Sequence, residues 1–171
     1  MNLRIILKVG ISLELKFKIK MEEKEKIILN EKNFSKLKDL VKKNSDKKII
    51  FYSDDDNLNR KVLEKLQIDV LLINLVDLRD FSKQRNSGFN EVMARIAKKN
   101  NIKIGINLDE LIFSKERVKV FSRIRQNIFL CKKNKIQMEF VSKKEKRSLI
   151  VLKSLGLVFG MPTWMTKNLE I

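Results

Sequence analysis

The sequence has no histidine and a single cysteine, Cys131. Without histidine there is no Ser-His-Asp or Cys-His catalysis, and no metal site built on imidazole. One cysteine excludes a disulfide framework, a CxxC redox pair and a Cys-rich zinc site. Long apolar runs are also missing. The longest weakly charged stretch, Ser154–Thr166, is too short to span a bilayer and is interrupted by Gly156, Gly160 and Pro162. The N-terminal Met1–Gly10 carries Arg4 and Lys8 within its apolar run and has no small-residue cleavage site, so it does not read as a secretory leader. No segment shows the basic-aromatic pattern of a membrane-surface helix. Carboxylates are scarce: 21 Asp and Glu stand against 38 Lys and Arg, a formal net charge of +17.

The 171 residues are 43% hydrophobic and 35% charged, too apolar for a disordered chain and too charged for a membrane protein. Length and composition lead to the expectation of one domain, 1–171, in a basic cytoplasmic protein that needs no cofactor and faces a polyanion. The charge is uneven. Residues 1–85 hold 20 basic and 14 acidic side chains, residues 86–171 hold 18 and 7, and Leu111–Lys153 alone holds 13 and 3. Charge kept only for solubility mixes its signs more evenly.

Periodicity divides the chain into alternating elements. Leu13–Lys20 alternates apolar and charged residues and predicts a strand with one solvated face; Leu3–Val9 is a second strand candidate. Met21–Lys26 reads as a charged loop, and Ile27–Leu29 as an apolar run of undecided type. Asn33 is placed to cap a helix carrying Phe34, Leu37, Leu40 and Val41. A strand follows at Lys48–Tyr52, then a helix from Asn57 with Leu58, Val62, Leu63 and Leu66 inward. Val70–Ile73 reads as a strand buried on both faces. After a polar segment, Asn74–Gly88, comes a helix over Phe89–Asn100 with Val92, Met93, Ile96 and Ala97 as its stripe. Ile102–Ile106 is a strand, and Ser114 is expected to cap a long helix to Asn134 with Val120, Phe121, Ile124, Ile128 and Cys131 on one face. Ile136–Val141 is a strand and Arg147–Leu155 a helix ended by Gly156; the tail with Trp164 carries no assignment. Strands alternating with helices mean βα units and a mainly parallel sheet. A closed eight-unit barrel takes about 250 residues, so the expectation is an incomplete or minimal barrel, or an open sheet.

In such a fold the loops after the strands leave at one end, where sites lie. That places Arg79, Lys83, Arg85, Lys143, Lys144, Lys146 and Arg147 on one rim, with Ser87, Gly88 and Ser142 offering hydroxyl and N–H donors suited to phosphate. On the long helix, Lys119, Arg123, Gln126 and Lys133 fall opposite the apolar stripe, with Arg117, Arg125 and Lys132 at its margins; about half of these charges serve solubility and half contact a partner. Asp54-Asp55-Asp56 reads as a turn and helix start rather than a metal cluster. Arg60 either touches a polyanion or braces the loop before it. Cys131, within a stripe, reads as a structural thiol. Trp164 is either a partner anchor or core filling.

Several segments resemble one family in their order and spacing: the TIM-barrel-like protein subunit (protein component 3, p30-type) of archaeal and eukaryotic ribonuclease P. They are Asp55-Asp56-Asn57-Leu58-Asn59-Arg60-Lys61, Ile68-Asp69-Val70-Leu71, Arg85-Asn86-Ser87-Gly88-Phe89-Asn90, Ala97–Asn107, Arg123–Asn127 with Lys132-Lys133, and Ser142. The resemblance implies a TIM-barrel-like fold, similar to that of the polymerase-and-histidinol-phosphatase (PHP) phosphoesterases. It implies a non-catalytic RNA-assembly subunit that stabilises the RNA subunit for removal of the 5′ leader from precursor tRNA. The chemistry then belongs to the RNA, and a small ferredoxin-like subunit is the direct protein partner. The expected RNA contacts are then Arg60, Arg85, Ser87, Gly88, Arg123, Arg125, Lys132, Lys133 and Ser142 within the resembling segments, and Arg79, Lys83, Arg117, Lys143, Lys144 and Arg147 from the basic rim and the long helix. The sequence departs from the pattern in three places. The family's opening strand–helix segment with its Asp-x-His motif is not matched, so the domain reads as N-terminally shortened. Asn90-Glu91 stands where an acidic-histidine pair is common. The loop after Ser142 is contracted to Lys143–Ser148. Two alternatives remain: a metal-dependent PHP-type phosphoesterase, for which Asp109 and Glu110 are the only close carboxylate pair at a strand end, and a generic basic RNA-binding domain.

Overall fold

The computed structural model describes residues 25–76, 78–144 and 146–169. The strands expected at Leu3–Val9 and Leu13–Lys20, and most of the charged loop after them, lie outside this range. The undecided run Ile27–Leu29 belongs to a strand, β1 (Lys26–Leu29). Next come α1 (Phe34–Lys43), β2 (Lys48–Ser53), α2 (Asp56–Lys65), β3 (Val70–Ile73), α3 (Glu91–Lys99) and β4 (Lys103–Asn107). The short α4 (Leu108–Phe113), the long α5 (Arg117–Asn134), β5 (Met138–Val141), α6 (Leu149–Phe159) and α7 (Thr163–Lys167) complete the order. Among the described residues no helix is long and apolar enough to cross a membrane.

Helix starts follow local chemistry. Asn33 accepts from the N–H groups of Ser35 and Lys36 at the head of α1. Asp55 does the same for Asn57 and Leu58 at the head of α2, and Asn90 takes the N–H of Met93 in α3. Asp54 turns away and accepts from Asn74 Nδ2 at 2.6 Å. The acidic run is thus a turn, a cap and a first-turn charge.

The strands lie in the order β1-β2-β3-β4-β5, and every neighbouring pair is parallel, as βα crossovers require. Leu29, Ile49, Phe51, Leu71, Ile73, Ile104, Ile106 and Met138 point to the face covered by helices, where they pack with Leu37, Val62, Leu63, Met93, Ala97, Ile124, Ile128 and Cys131. The alternate residues Ile50, Val70, Leu72 and Val141 form a second, smaller cluster on the other face. That face is concave. Lys48 on β2 places Nζ 2.9 Å from Glu139 Oε2 on β5, with β3 and β4 between them. Strands so far apart in a flat sheet stand about 14 Å from one another. Glu139 is buried and Lys48 partly so, and Lys103 adds a second cation at 3.7 Å. Gly105 makes room inside the curve: a Cβ there would lie 3.0 Å from both Val70 Cγ1 and Leu72 Cδ1. The fold is α/β with a curled parallel sheet, and it is not closed, since β1 and β5 each have one neighbour among the described residues.

Four local expectations need correction. The helix after the polar segment starts at Glu91, leaving Phe89 buried ahead of it and Val92 50% exposed. The helix expected from Ser114 is α5, which starts at Arg117 with Glu116 at the cap position; Ser114 instead ends an additional short helix, α4, that starts directly from β4 with Asn107 as its cap. On α5 the buried positions are Val120, Arg123, Ile124, Asn127, Ile128 and Cys131, while Phe121 leans outward against Phe159 with ring centroids 5.4 Å apart. Helix α6 passes through Gly156, which packs against Met161 and Thr166, and stops at Gly160 in the left-handed region.

Candidate functional site

Because all five strands run the same way, the loops after them leave at one end of the sheet. The longest joins β3 to α3 and has neither helix nor strand among its described residues. Its buried backbone groups still need partners. Side chains of α5 supply them. Arg123, only 1% exposed, donates from Nη1 to Leu75 O at 2.7 Å and from Nη2 to Leu78 O at 2.6 Å and Asp80 Oδ1 at 3.0 Å. Asn127 Nδ2 donates to Ser87 O at 3.1 Å, and Gln126 Nε2 to Arg85 O at 3.3 Å. Glu110 on α4 accepts the N–H of Leu75 at 2.8 Å. Within the loop, Asp80 Oδ1 also accepts from Asn86 N–H, and Asn86 Oδ1 accepts from Gly88 N–H. The hydrogen bond from Arg123, then that from Asn86, and the nearby Arg123 and Arg85 charges hold the Asp80 carboxyl below its ordinary range. With the loop backbone tied inward, Arg79, Lys83 and Arg85 stand exposed.

Ser87 and Gly88 are buried in this arrangement. The Ser87 hydroxyl donates to Phe89 O at 3.1 Å. Gly88 has φ +66°, and a Cβ there would lie 2.9 Å from Ile73 Cγ2, so glycine answers both the backbone and the space. Their donors face the protein rather than solvent, which corrects the expectation that they line an open anion site. The largest correction concerns Arg123. The helical count puts it opposite the apolar stripe, whereas it lies inside, bound to the loop that carries the exposed cations.

The loop from β5 to α6 is held differently. Asp109, in the first turn of α4, accepts the Ser142 hydroxyl at 2.7 Å and the Lys143 N–H at 2.8 Å. Burial pushes the Asp109 carboxyl up, but bonds from the Lys143 N–H, the Ser142 hydroxyl and the Lys144 N–H, with the Lys144 charge, leave it below its usual value. Lys143 Nζ sits 4.4 Å above the Tyr52 ring and Lys144 Nζ 4.9 Å above that of Phe113. Lys146 and Arg147 are exposed beyond them. Between the two loops, at the mouth of the curled sheet, Tyr52, Leu72, Asn74, Asn107, Glu110 and Lys143 line a small depression of about 160 Å³. Burial raises the Glu110 carboxyl, partly offset by the Leu75 N–H and the Asn107 amide. The two neighbouring carboxylates, Asp109 and Glu110, thus each clasp a different loop. Among the described residues no group of three or more Asp, Glu or Cys is placed to hold a metal ion.

The other candidates are more scattered. Arg117 lies exposed at the start of α5, and Arg125 is exposed on its flank. Lys132 and Lys133 fall in its last turn, toward the opposite end of the sheet, with Lys133 Nζ 3.3 Å from Glu91 Oε2. Arg60 pairs with Glu64 on the surface of α2, while its neighbour Asn59 does the bracing, donating to Ser53 O at 3.0 Å. Cys131 is buried among apolar residues, and that burial pushes its thiol far above the ordinary value, as a structural thiol requires. Trp164 lies at the other end of the molecule, beside a depression lined by Lys98, Lys103 and Lys135. The clasping roles of Arg123, Asn127, Asp109 and Glu110 were missed by sequence reasoning. A signal existed for two of them: Val120, Arg123, Ile124, Asn127, Ile128 and Cys131 recur at helical spacing.

The family model described as RNase P subunit p30 matches residues 16–163. Ribonuclease P protein component 3 of Methanosarcina acetivorans is 32% identical over 120 residues, covering 68% of this chain and 47% of that protein. The protein of the same description from Methanococcoides burtonii is 31% identical over 140 residues, covering 75% and 54%. The chain therefore spans about half the length of the curated relatives it matches. Among solved structures, a chain in the cryo-EM structure of archaeal ribonuclease P with mature tRNA superposes with a TM-score of 0.70 at 20% identity, over 92% of this chain and 71% of that one. This last likeness bears on the fold.

Proposed function

The chain belongs to the RNase P subunit p30 family, and from that premise we propose that it is a non-catalytic protein subunit of ribonuclease P, acting in the cytoplasm. In this reading it binds the RNA subunit by neutralising backbone phosphates and stabilises the RNA fold that removes the 5′ leader from precursor tRNA. A small ferredoxin-like subunit of the same enzyme is its protein partner. Contact is to shape and backbone rather than base sequence, as a surface rich in Lys and Arg suits. The observation that carries the proposal is the clasped β3–α3 loop. Its backbone is tied to α5 while Arg79, Lys83 and Arg85 stay exposed, at the same end of the sheet as Lys143, Lys144, Lys146 and Arg147. Arg117 and Arg125 extend that surface along α5, whereas Arg60, Lys132 and Lys133 are more remote. Arg123, Ser87, Gly88 and Ser142 support the surface from within.

The test is competition binding between an archaeal ribonuclease P RNA and an unstructured RNA of equal length. The expected result is a clear preference for the folded RNA, together with stimulated leader removal when the protein joins that RNA and its other subunits. Equal affinity for both RNAs would reduce the protein to a generic basic domain. Metal-dependent cleavage by the pure protein, abolished in Asp109→Asn, would make it an enzyme.

A further inference from the structure

Resting on that RNA-binding reading and deepening it, we infer that Arg123 is a positioning residue: through Leu75, Leu78 and Asp80 it holds the β3–α3 loop in the shape that presents Arg79, Lys83 and Arg85 to RNA. The first support is its burial. A cation inside a protein of net charge +17 is costly unless its donors are matched, and here one guanidinium spans two carbonyls and a carboxylate. Its Nε–H remains without an acceptor, so the side chain does not satisfy itself fully; it satisfies the loop. The rigid fork of a guanidinium delivers these bonds from two separate nitrogens, whereas a lysine ammonium of equal charge carries all its donors on one.

The second support is Asp80. A carboxylate in the middle of a phosphate-facing loop opposes binding by its charge. It is explained by its bonds: one oxygen, Oδ1, takes both Arg123 Nη2 and Asn86 N–H, and so ties the start of the loop to its end. The third is loop length. A long segment without secondary structure loses much freedom when it is ordered on a partner, and a loop already ordered in the free protein avoids that cost.

The sign of the Asp80 effect tests the inference. Removing a negative charge strengthens RNA binding if charge alone matters, and equally for Asp80→Ala and Asp80→Asn. If Asp80 acts through Arg123, Asp80→Asn keeps the accepting oxygen and binds within about twofold of wild type, while Asp80→Ala binds about tenfold more weakly. The measurement is titration of full-length protein with ribonuclease P RNA at fixed salt. Trypsin susceptibility at Lys83 and Arg85 in the free protein gives a readout without RNA, and it should rise in Asp80→Ala and not in Asp80→Asn. Adding Asp80→Ala to a protein already carrying R79A, K83A and R85A should change affinity no further. If Asp80→Ala binds as tightly as wild type or tighter while the triple variant loses affinity, the positioning role is wrong and the RNA-binding reading stands. If the triple variant binds like wild type, the RNA-binding role of this loop fails and the inference falls with it.

Discussion

The β3–α3 loop and the β5–α6 loop leave the same end of the sheet and both carry several cations, yet the protein treats them unlike. The first is long and is pinned along its course by Arg123, Gln126, Asn127 and Glu110. The second is short and is pinned at its root by Asp109, with Lys143 and Lys144 laid over aromatic rings. The difference follows from chain physics. A short connection has little freedom to lose, so a clasp at its root defines it; a long one needs partners throughout or it stays an ensemble. Similar cations thus come with different support, and Arg123 and Arg125, two residues apart on one helix, have opposite settings, the first buried and the second exposed.

Truncating each clasp should expose that contrast. Arg123→Ala removes charged hydrogen bonds to buried carbonyls and is expected to cost about 3–5 kcal/mol. Asp109→Ala, which releases the Ser142 hydroxyl and the Lys143 N–H, should cost about 1–2 kcal/mol. Urea denaturation of both variants measures the ratio, and equal losses would remove the distinction between the loops. A smaller effect separates their backbones. Gly88→Ala forces a side chain into a left-handed residue and should cost about 1–2 kcal/mol. In the short loop Ser148, which makes no side-chain cap bond to α6, should tolerate alanine within about 0.5 kcal/mol.

Acid brings the two loops back together. Asp80 and Asp109 are both held below their ordinary pKa in the folded state. Stability from such groups is complete above the unfolded value, about 3.9, and is lost as pH falls through the lower folded value. Glu110 has the opposite sign: its raised carboxyl favours folding most below its unfolded value, and that contribution fades as pH rises through the folded one. Below about pH 4, both loops should become more open to amide hydrogen exchange. Asp80→Asn and Asp109→Asn should each flatten that acid response in their own loop only; a flattening of both by either variant would mean the loops are coupled.

Most of the architecture was legible in the residues. Short apolar runs such as Val70–Ile73, separated by helical repeats with caps such as Asn33, lead to parallel βα units, and the described strands form the curled, open sheet expected of an incomplete barrel. The misses have local causes. β1 is only four residues and shows no period, and α4 is six, shorter than the window in which a helical stripe shows. Gly156 looks like a stop because glycine often is one; here its small size serves packing against Met161. The Lys48–Glu139 pair depends on sheet curvature, which no linear pattern carries. Arg123 was misplaced because an arginine is assigned to solvent by default. Its partners are loop carbonyls, and carbonyls have no sequence signature.

If RNA meets the protein at the rim formed by the two loops, the salt dependence of RNA affinity tests it most directly. One variant replaces Arg85, Lys143, Lys144 and Arg147 with alanine. A second replaces Lys36, Lys38, Lys42 and Lys43 on the exposed face of α1, an equal change in formal charge. Removing one cation–phosphate pairing should lower the slope of log affinity against log salt by about 0.7–0.9. The expected result is that the rim variant stays folded, binds more weakly and loses slope by that amount for each pairing removed, while the α1 variant keeps a slope near that of wild type. Equal losses of affinity and slope in the two variants would show that net charge, not the rim, holds the RNA.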